Sequence, residues 1–174
     1  MNAVMLAALK LATTMSLQIA VYDTAIEDFY VEWNDQHYAQ GFLWLPGHVE
    51  FNTLGQTGLV MVEVWQADQI QISPNVVRAI LVPFTVSDSG EIRVAGDDLG
   101  DPIPLAQGEY ALIFEIRFQN QAELERDPGY EQGDEEYDLL PEWCRFTFVP
   151  QVQTVQAEIL RADSELAGSS LVLG

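Results

Sequence analysis

The chain has 174 residues, with 27 Asp and Glu against 7 Lys and Arg, 48% apolar residues, 10% aromatic residues and one cysteine. That length fits one domain, able to bury roughly 70% of its extended surface without a disulfide or a metal to staple it. A net charge of −20 on a folded surface on the order of 8,500 Å² repels phosphate backbones and anionic lipids, which argues against a nucleic-acid binder or a membrane-surface protein.

The longest apolar run lies within Met1–Met15 and carries Lys10 in its middle. It is well short of the ~20 residues a membrane span needs. Its Ala-rich composition predicts a short N-terminal helix on an extension, residues 1–14, ahead of the main domain at 15–163. From Leu17 the hydrophobic period is two. Phe29, Val31 and Trp33 alternate with Asp28, Tyr30 and Glu32, and Val60, Val62 and Val64 alternate with Met61, Glu63 and Trp65. The same alternation runs through Ile80–Val86, Ile92–Val94, Tyr110–Phe118 and Cys144–Phe148. Such runs are strands with one buried face. The turn residues Ser87-Asp88-Ser89-Gly90 predict a hairpin, and Pro102 to Gly108 a longer connection. Pro83 cannot donate to a ladder, so its strand is expected to be an edge, or bulged, at that point. A helical turn is expected around Asp35–Gln40, and a small apolar tail over 164–174. The fold class expected is all-β, an antiparallel β-sandwich of about eight strands.

Signals of catalysis are weak. His37 and His48 stand outside zinc-ligand spacing, no serine occupies a nucleophile elbow, and no phosphate loop is present. Cys144 shares the parity of Phe146 and Phe148 and is read as a small buried hydrophobe. A lone cysteine forms no disulfide framework within one chain; a reducing compartment is permitted, and a cytoplasmic location is expected. No catalytic group, cofactor or metal is expected.

Two segments stand out as candidate contact surfaces. Between Glu123 and Glu142 nine of twenty residues are acids, among them Asp127, Glu131, Asp134, Glu135, Glu136, Asp138 and Glu142, and Arg126 alone opposes them within the segment. A solvated loop is the plain reading of such a run. Clustered carboxylates also suit calcium, although the EF-hand order is absent. A docking surface for a basic protein is the third reading, favoured by the nearby aromatics Tyr130, Tyr137 and Trp143. The second segment, Trp33 to Phe51, mixes aromatics with polar groups. Its Trp33, Phe42, Val49 and Phe51 read as core around a corner, whereas Asp35, His37, Gln40 and Trp44 form a candidate patch.

Three blocks of this sequence resemble the competence protein J family, the DNA-entry nuclease inhibitors. They are Trp33…Asp35…Gly41-Phe42…Val49-Glu50-Phe51, then Ala79-Ile80-Leu81-Val82-Pro83-Phe84-Thr85-Val86 followed by Gly90, Ile92 and Val94, and last Pro104-Leu105…Gly108-Glu109-Tyr110. Together they span roughly Leu17 to Val149 in the family's order; the N-terminal extension, the acidic segment and the run after Pro150 depart from its pattern. The resemblance implies a non-enzymatic inhibitor that silences a metal-dependent DNase, either a competence nuclease or a toxin with its immunity protein. The implied partner is a basic nuclease, bound without direct contact to nucleic acid. An acidic fold can compete for the cationic groove a DNase offers to DNA, or can place a carboxylate at the catalytic metal. A carbohydrate- or calcium-binding β-sandwich module is the alternative from another class.

Overall fold

The structure, a computed structural model, describes residues 2–26, 30–55, 58–133, 141–166, 171 and 173. The strands that read most plainly from the sequence occupy the middle of one six-stranded sheet. There β5 (Leu59–Ala67), β10 (Glu142–Pro150), β9 (Gly108–Phe118) and β6 (Arg78–Val86) lie side by side, with β1 (Ala3–Ala12) beyond β5 and β11 (Glu158–Arg161) beyond β6. A five-stranded sheet has the order β3 (Phe42–Leu45), β4 (His48–Asn52), β2 (Gln18–Asp23), β7 (Glu91–Ala95) and β8 (Ile103–Pro104). Two short helices, α1 (Asp35–Gln40) and α2 (Gln121–Leu124), complete the described elements.

The sheets face each other across one core. Val60, Val62, Val64, Ile80, Val82, Phe84, Leu112, Phe114, Cys144 and Phe146 of the first meet Ile19, Val21, Val49, Phe51, Ile92 and Val94 of the second. Phe51 stacks on Phe114 with ring centroids 4.4 Å apart, joining the layers at their centre. Burying each such ring stabilises the fold by about 1.5–3 kcal/mol relative to exposure. The all-β sandwich expected from the alternation is therefore present, with eleven strands among the described residues where about eight were expected and with Cys144 fully buried in its core.

Several local expectations change. The expected N-terminal helix is instead β1, paired antiparallel with β5 from Ala3↔Ala67 to Ala12↔Leu59. Helix propensity is a weak prior, and pairing with a long apolar strand overrides it here. The sheet is mixed, because β10 runs parallel to β5 and antiparallel to β9. Ser87–Gly90 makes a corner between the two sheets instead of a hairpin, since β6 and β7 belong to different layers. The Asp23 carboxylate pins that corner by accepting from Ser87 N (2.5 Å) and Ser89 Oγ (2.7 Å). Residues 30–34 are irregular where a strand over Phe29–Trp33 was expected; Phe29 itself lies outside the described residues. Pro83 behaves as its chemistry requires. It pairs with Ala111 on one side, while β11 covers only Ala79–Leu81 on the other, so β6 is locally an edge there. β9 and β6 are buried on both faces, because Ile72, Val155 and Leu160 cover Leu81, Ala111 and Ile113 from outside.

At the far end Arg78, 1% exposed, ties the C-terminal segment to the sandwich. It donates to Asp163 (2.7 Å), to Glu165 (3.0 Å) and to the Asn52 carbonyl (3.1 Å), so the buried cation is fully matched. Leu166 then inserts into the core. Of the expected tail 164–174, Glu165 and Leu166 are thus part of the folded sandwich, while residues 167–170, 172 and 174 lie outside the described residues.

Candidate partner-binding surface

Strand ends at one end of the sandwich gather the beginnings of both segments singled out by the sequence. β9 ends there and β10, β5 and β2 begin there, so α2 and the turn after β1 share that end with the chain entering β3. The acidic segment begins as a folded, docked unit. The Asn120 side chain accepts from Glu123 N (3.0 Å) while the Glu123 carboxylate accepts from Asn120 N (2.9 Å), a reciprocal cap that starts α2. Leu124 anchors it beside Leu59, with Tyr130 packed against them.

Cations from neighbouring strands neutralise part of this segment. Arg117 of β9 donates to both Glu123 oxygens (2.7 and 2.9 Å) and lies 4.5 Å over the Trp143 ring. The Arg117 hydrogen bond outweighs burial and holds the Glu123 carboxyl below its usual range. Asp127 lies 3.3 Å from Lys10 of β1. Elsewhere Arg145 pairs with the buried Glu115, and Arg161 donates to the carbonyls of Ser73, Pro74 and Val76. Six of the seven cations are thus engaged with groups of this chain, Arg93 through the Gly100 carbonyl, while Arg126 is exposed.

The structure sorts the expected contact residues. Glu131 is exposed and Asp127 half-buried. Asp134, Glu135, Glu136 and Asp138 lie outside the described residues. Glu142 and Trp143, expected at the contact surface, are buried in the fold: Glu142 is wholly buried and Trp143 is 9% exposed, packed with Val76 and Ala79. The parity of β10 carried this signal, because Glu142 falls on the inward face with Cys144 and Phe146. Burial pushes the Glu142 carboxyl up to about 7, against the opposing pull of the nearby Leu54 and Gly55 amides and of Arg78.

The second patch divides in the same way. Asn34 caps α1 by accepting from His37 N (3.0 Å), and His37 Nδ1 accepts from Asn34 N (3.2 Å). Gly41 ends the helix at φ 82, a conformation that favours glycine; an added Cβ would also stand 2.7 Å from Leu166. Asp35 is exposed and His37 half-buried at this cap. Gln40 is fully buried, donating to the Phe42 carbonyl (2.8 Å), and Trp44 donates to the Pro83 carbonyl (2.6 Å), so both hold the fold together. Trp33, read from the sequence as core, is instead half-buried in the irregular segment, and it pairs with Glu50, which the sequence singled out only within the family block. Trp33 Nε1 donates to Glu50 (2.6 Å), whose other oxygen lies 3.2 Å from His48 Nε2, and His48 stacks on Tyr22. Burial raises the Glu50 pKa, but the hydrogen bonds from His48 and Trp33 prevail and hold it below its usual value.

Among the described residues no three His, Cys, Asp or Glu side chains come together to hold a metal, and no helix is long and apolar enough to cross a membrane. Comparison with known families matches residues 11–149 to the competence protein J (ComJ) model. The chain belongs to the ComJ family. The match begins inside β1 and ends at Val149, so it takes in the whole acidic segment. A crystal structure of ComJ from Bacillus subtilis, an inhibitor of the DNA-degrading activity of NucA, has a TM-score of 0.65 at 14% identity, covering 87% of this chain and 100% of that one. The crocagin biosynthetic gene J protein has a TM-score of 0.51 at 14% identity, covering 87% of this chain and 99% of its own. At such identities the likeness to these two solved structures is one of fold. No curated protein gives a significant match to the sequence.

Proposed function

We propose that this protein is a non-enzymatic inhibitor that binds a metal-dependent DNase and blocks it through an acidic surface. Membership of the ComJ family carries the reading, since a member of that fold inhibits the DNA-degrading activity of NucA. The charge distribution supports it. A DNase needs a cationic groove for its substrate, and a fold with net charge −20, four of whose seven cations are ion-paired within the chain, competes for that groove by imitating the charge of DNA. The exposed carboxylates Glu125 and Glu131, with Glu32 and Asp35 beyond the turn after β1, supply charge at one end of the sandwich. Asp134, Glu135, Glu136 and Asp138 add four acids to the same segment of sequence. The chain acts in the cytoplasm, before or beside its nuclease, where its thiol stays reduced.

The test is complex formation. The purified chain, mixed with a DNA-uptake or toxin DNase encoded in the same genome, is run on a size-exclusion column with light scattering. Co-elution as one species is expected, and reversal of Glu125 and Glu131 to Lys slows association. Separate elution at micromolar concentration would overturn the proposal, and an association rate untouched by the reversals would overturn its electrostatic part.

A further inference from the structure

A cleft of about 430 Å³ opens between the irregular segment before α1 and the outer face of the five-stranded sheet. Its floor consists of the small residues Ala20, Ala95 and Gly96, which give it depth. Its walls carry Tyr30, Glu32, Trp33, Tyr38, Glu50 and Gln18. Three aromatic rings and two carboxylates converge there, and among the described residues no cation lines it.

The aromatic wall is built in advance. The Trp33 indole is pinned by its hydrogen bond to Glu50, which is itself held by His48 from the sheet. Tyr38 leans against the same indole at 5.2 Å and 50°, and His37 meets its edge at 5.9 Å. The capped first turn of α1 fixes both residues. Tyr38 is 54% exposed and Tyr30 85% exposed, far more than aromatic side chains need to be when they only fill space. The carboxylate of Glu50 is kept charged by its partners, and Glu32 stands exposed at the rim.

We infer that this cleft receives an arginine side chain of the protein partner, its guanidinium lying on the Trp33 and Tyr38 rings between the Glu32 and Glu50 carboxylates. Ring faces attract cations, most strongly those of tryptophan, and a planar guanidinium both stacks on a ring and bonds a carboxylate in two-pronged fashion. An uncharged side chain of the same shape gains neither. The identity of the partner as a basic nuclease rests on the inhibitor reading above; the cleft's preference for a guanidinium does not.

The experiment separates the two. The full chain, labelled with nitrogen-15, is titrated with N-acetyl-arginine methylamide and with its uncharged isostere N-acetyl-citrulline methylamide. The four tryptophans give separate indole N–H signals, so Trp44, Trp65 and Trp143 serve as internal controls for Trp33. The Trp33 signal is expected to shift saturably with arginine in the millimolar range, roughly tenfold more tightly than with citrulline. Tyr38→Ala and Glu32→Gln should weaken it. Equal saturation by citrulline, or a Trp33 shift no larger than the controls, would overturn the inference, and this contrast on the unmodified chain decides even where a variant fails to fold. In parallel the same preparation is tested against the DNase. Arginine capture without nuclease binding would refute the inhibitor reading and leave the cleft standing; nuclease binding without arginine capture would do the reverse.

Discussion

Replacing Glu142 by Gln tests how the interior treats its one inward-facing carboxyl on β10. Glu142 has no exposed surface, and its oxygens make no hydrogen bond of good geometry with the residues around them. Burial pushes its pKa up to about 7 from 4.5. A raised carboxyl pKa means that the folded state prefers the protonated form. Its contribution to stability is therefore fully present below about pH 4.5 and is lost as pH rises through 7. That gap corresponds to about 3 kcal/mol, at roughly 1.36 kcal/mol per tenfold change in acidity. Glutamine copies the shape of the protonated acid and cannot ionise. The Gln variant should match the parent chain near pH 5 and exceed it at pH 8 by up to about 3 kcal/mol, or about 6–12 °C in Tm for a domain of this size. Urea unfolding of both proteins at the two pH values measures it, and the difference between variants cancels the titration of every other group. Equal destabilisation of the Gln variant at both pH values would refute the reasoning, since it would mean that Glu142 is held as a charged, well-bonded carboxylate.

Other outcomes follow from the same geometry. Phe51→Ala removes the ring stacked on Phe114 at the centre of the core, and should cost about 3–5 kcal/mol in chemical denaturation. Deleting residues 2–10 strips β1 from β5 along with the core contacts of Leu6 and Leu9; the shortened chain should lose several kcal/mol and self-associate through the bared strand, as light scattering would show. Glu50→Gln should cost about 1 kcal/mol at pH 7 and progressively less in acid, because the Glu50 pKa lies below its ordinary value, so its contribution is present above about pH 4.5 and fades as pH falls through the lowered pKa and the carboxyl protonates, as urea unfolding across that range would show. Association with the nuclease should slow steeply as salt shrinks the Debye length from ~30 Å at 0.01 M to ~8 Å at 0.15 M, as surface plasmon resonance would record.

The central strands were legible because a buried sheet face imposes a period of two that nothing local contradicts: Val60–Val64, Ile80–Val86 and Tyr110–Phe118 could hardly fold otherwise. The helical turn expected around Asp35–Gln40 is present as α1. β1 was not legible, because Ala-Ala-Leu-Lys-Leu-Ala favours a helix in isolation and becomes a strand only when β5 offers its edge. The corner at Ser87–Gly90 shows the same limit, since a tight turn looks alike whether it returns to its own sheet or crosses to the other. At the candidate surface, Glu142 was misplaced by its charge although its parity with Cys144 pointed inward. Gln40 is polar yet buried, bonded to the Phe42 carbonyl and to the Gln36 side chain, partners that composition does not reveal. Trp33 and Glu50, the pair that shapes the cleft, are seventeen residues apart in sequence, and only the packing of the entering segment across β4 joins them.

Inhibition itself is the most direct test of the central claim. The purified chain is titrated into a plasmid-degradation assay containing the DNA-uptake or toxin nuclease from the same genome, with metal and substrate in excess. The account predicts that degradation falls in proportion to added protein, reaches zero near molar equivalence and recovers as salt is raised. Undiminished degradation in the presence of excess folded protein, for each such nuclease the genome encodes, would contradict it.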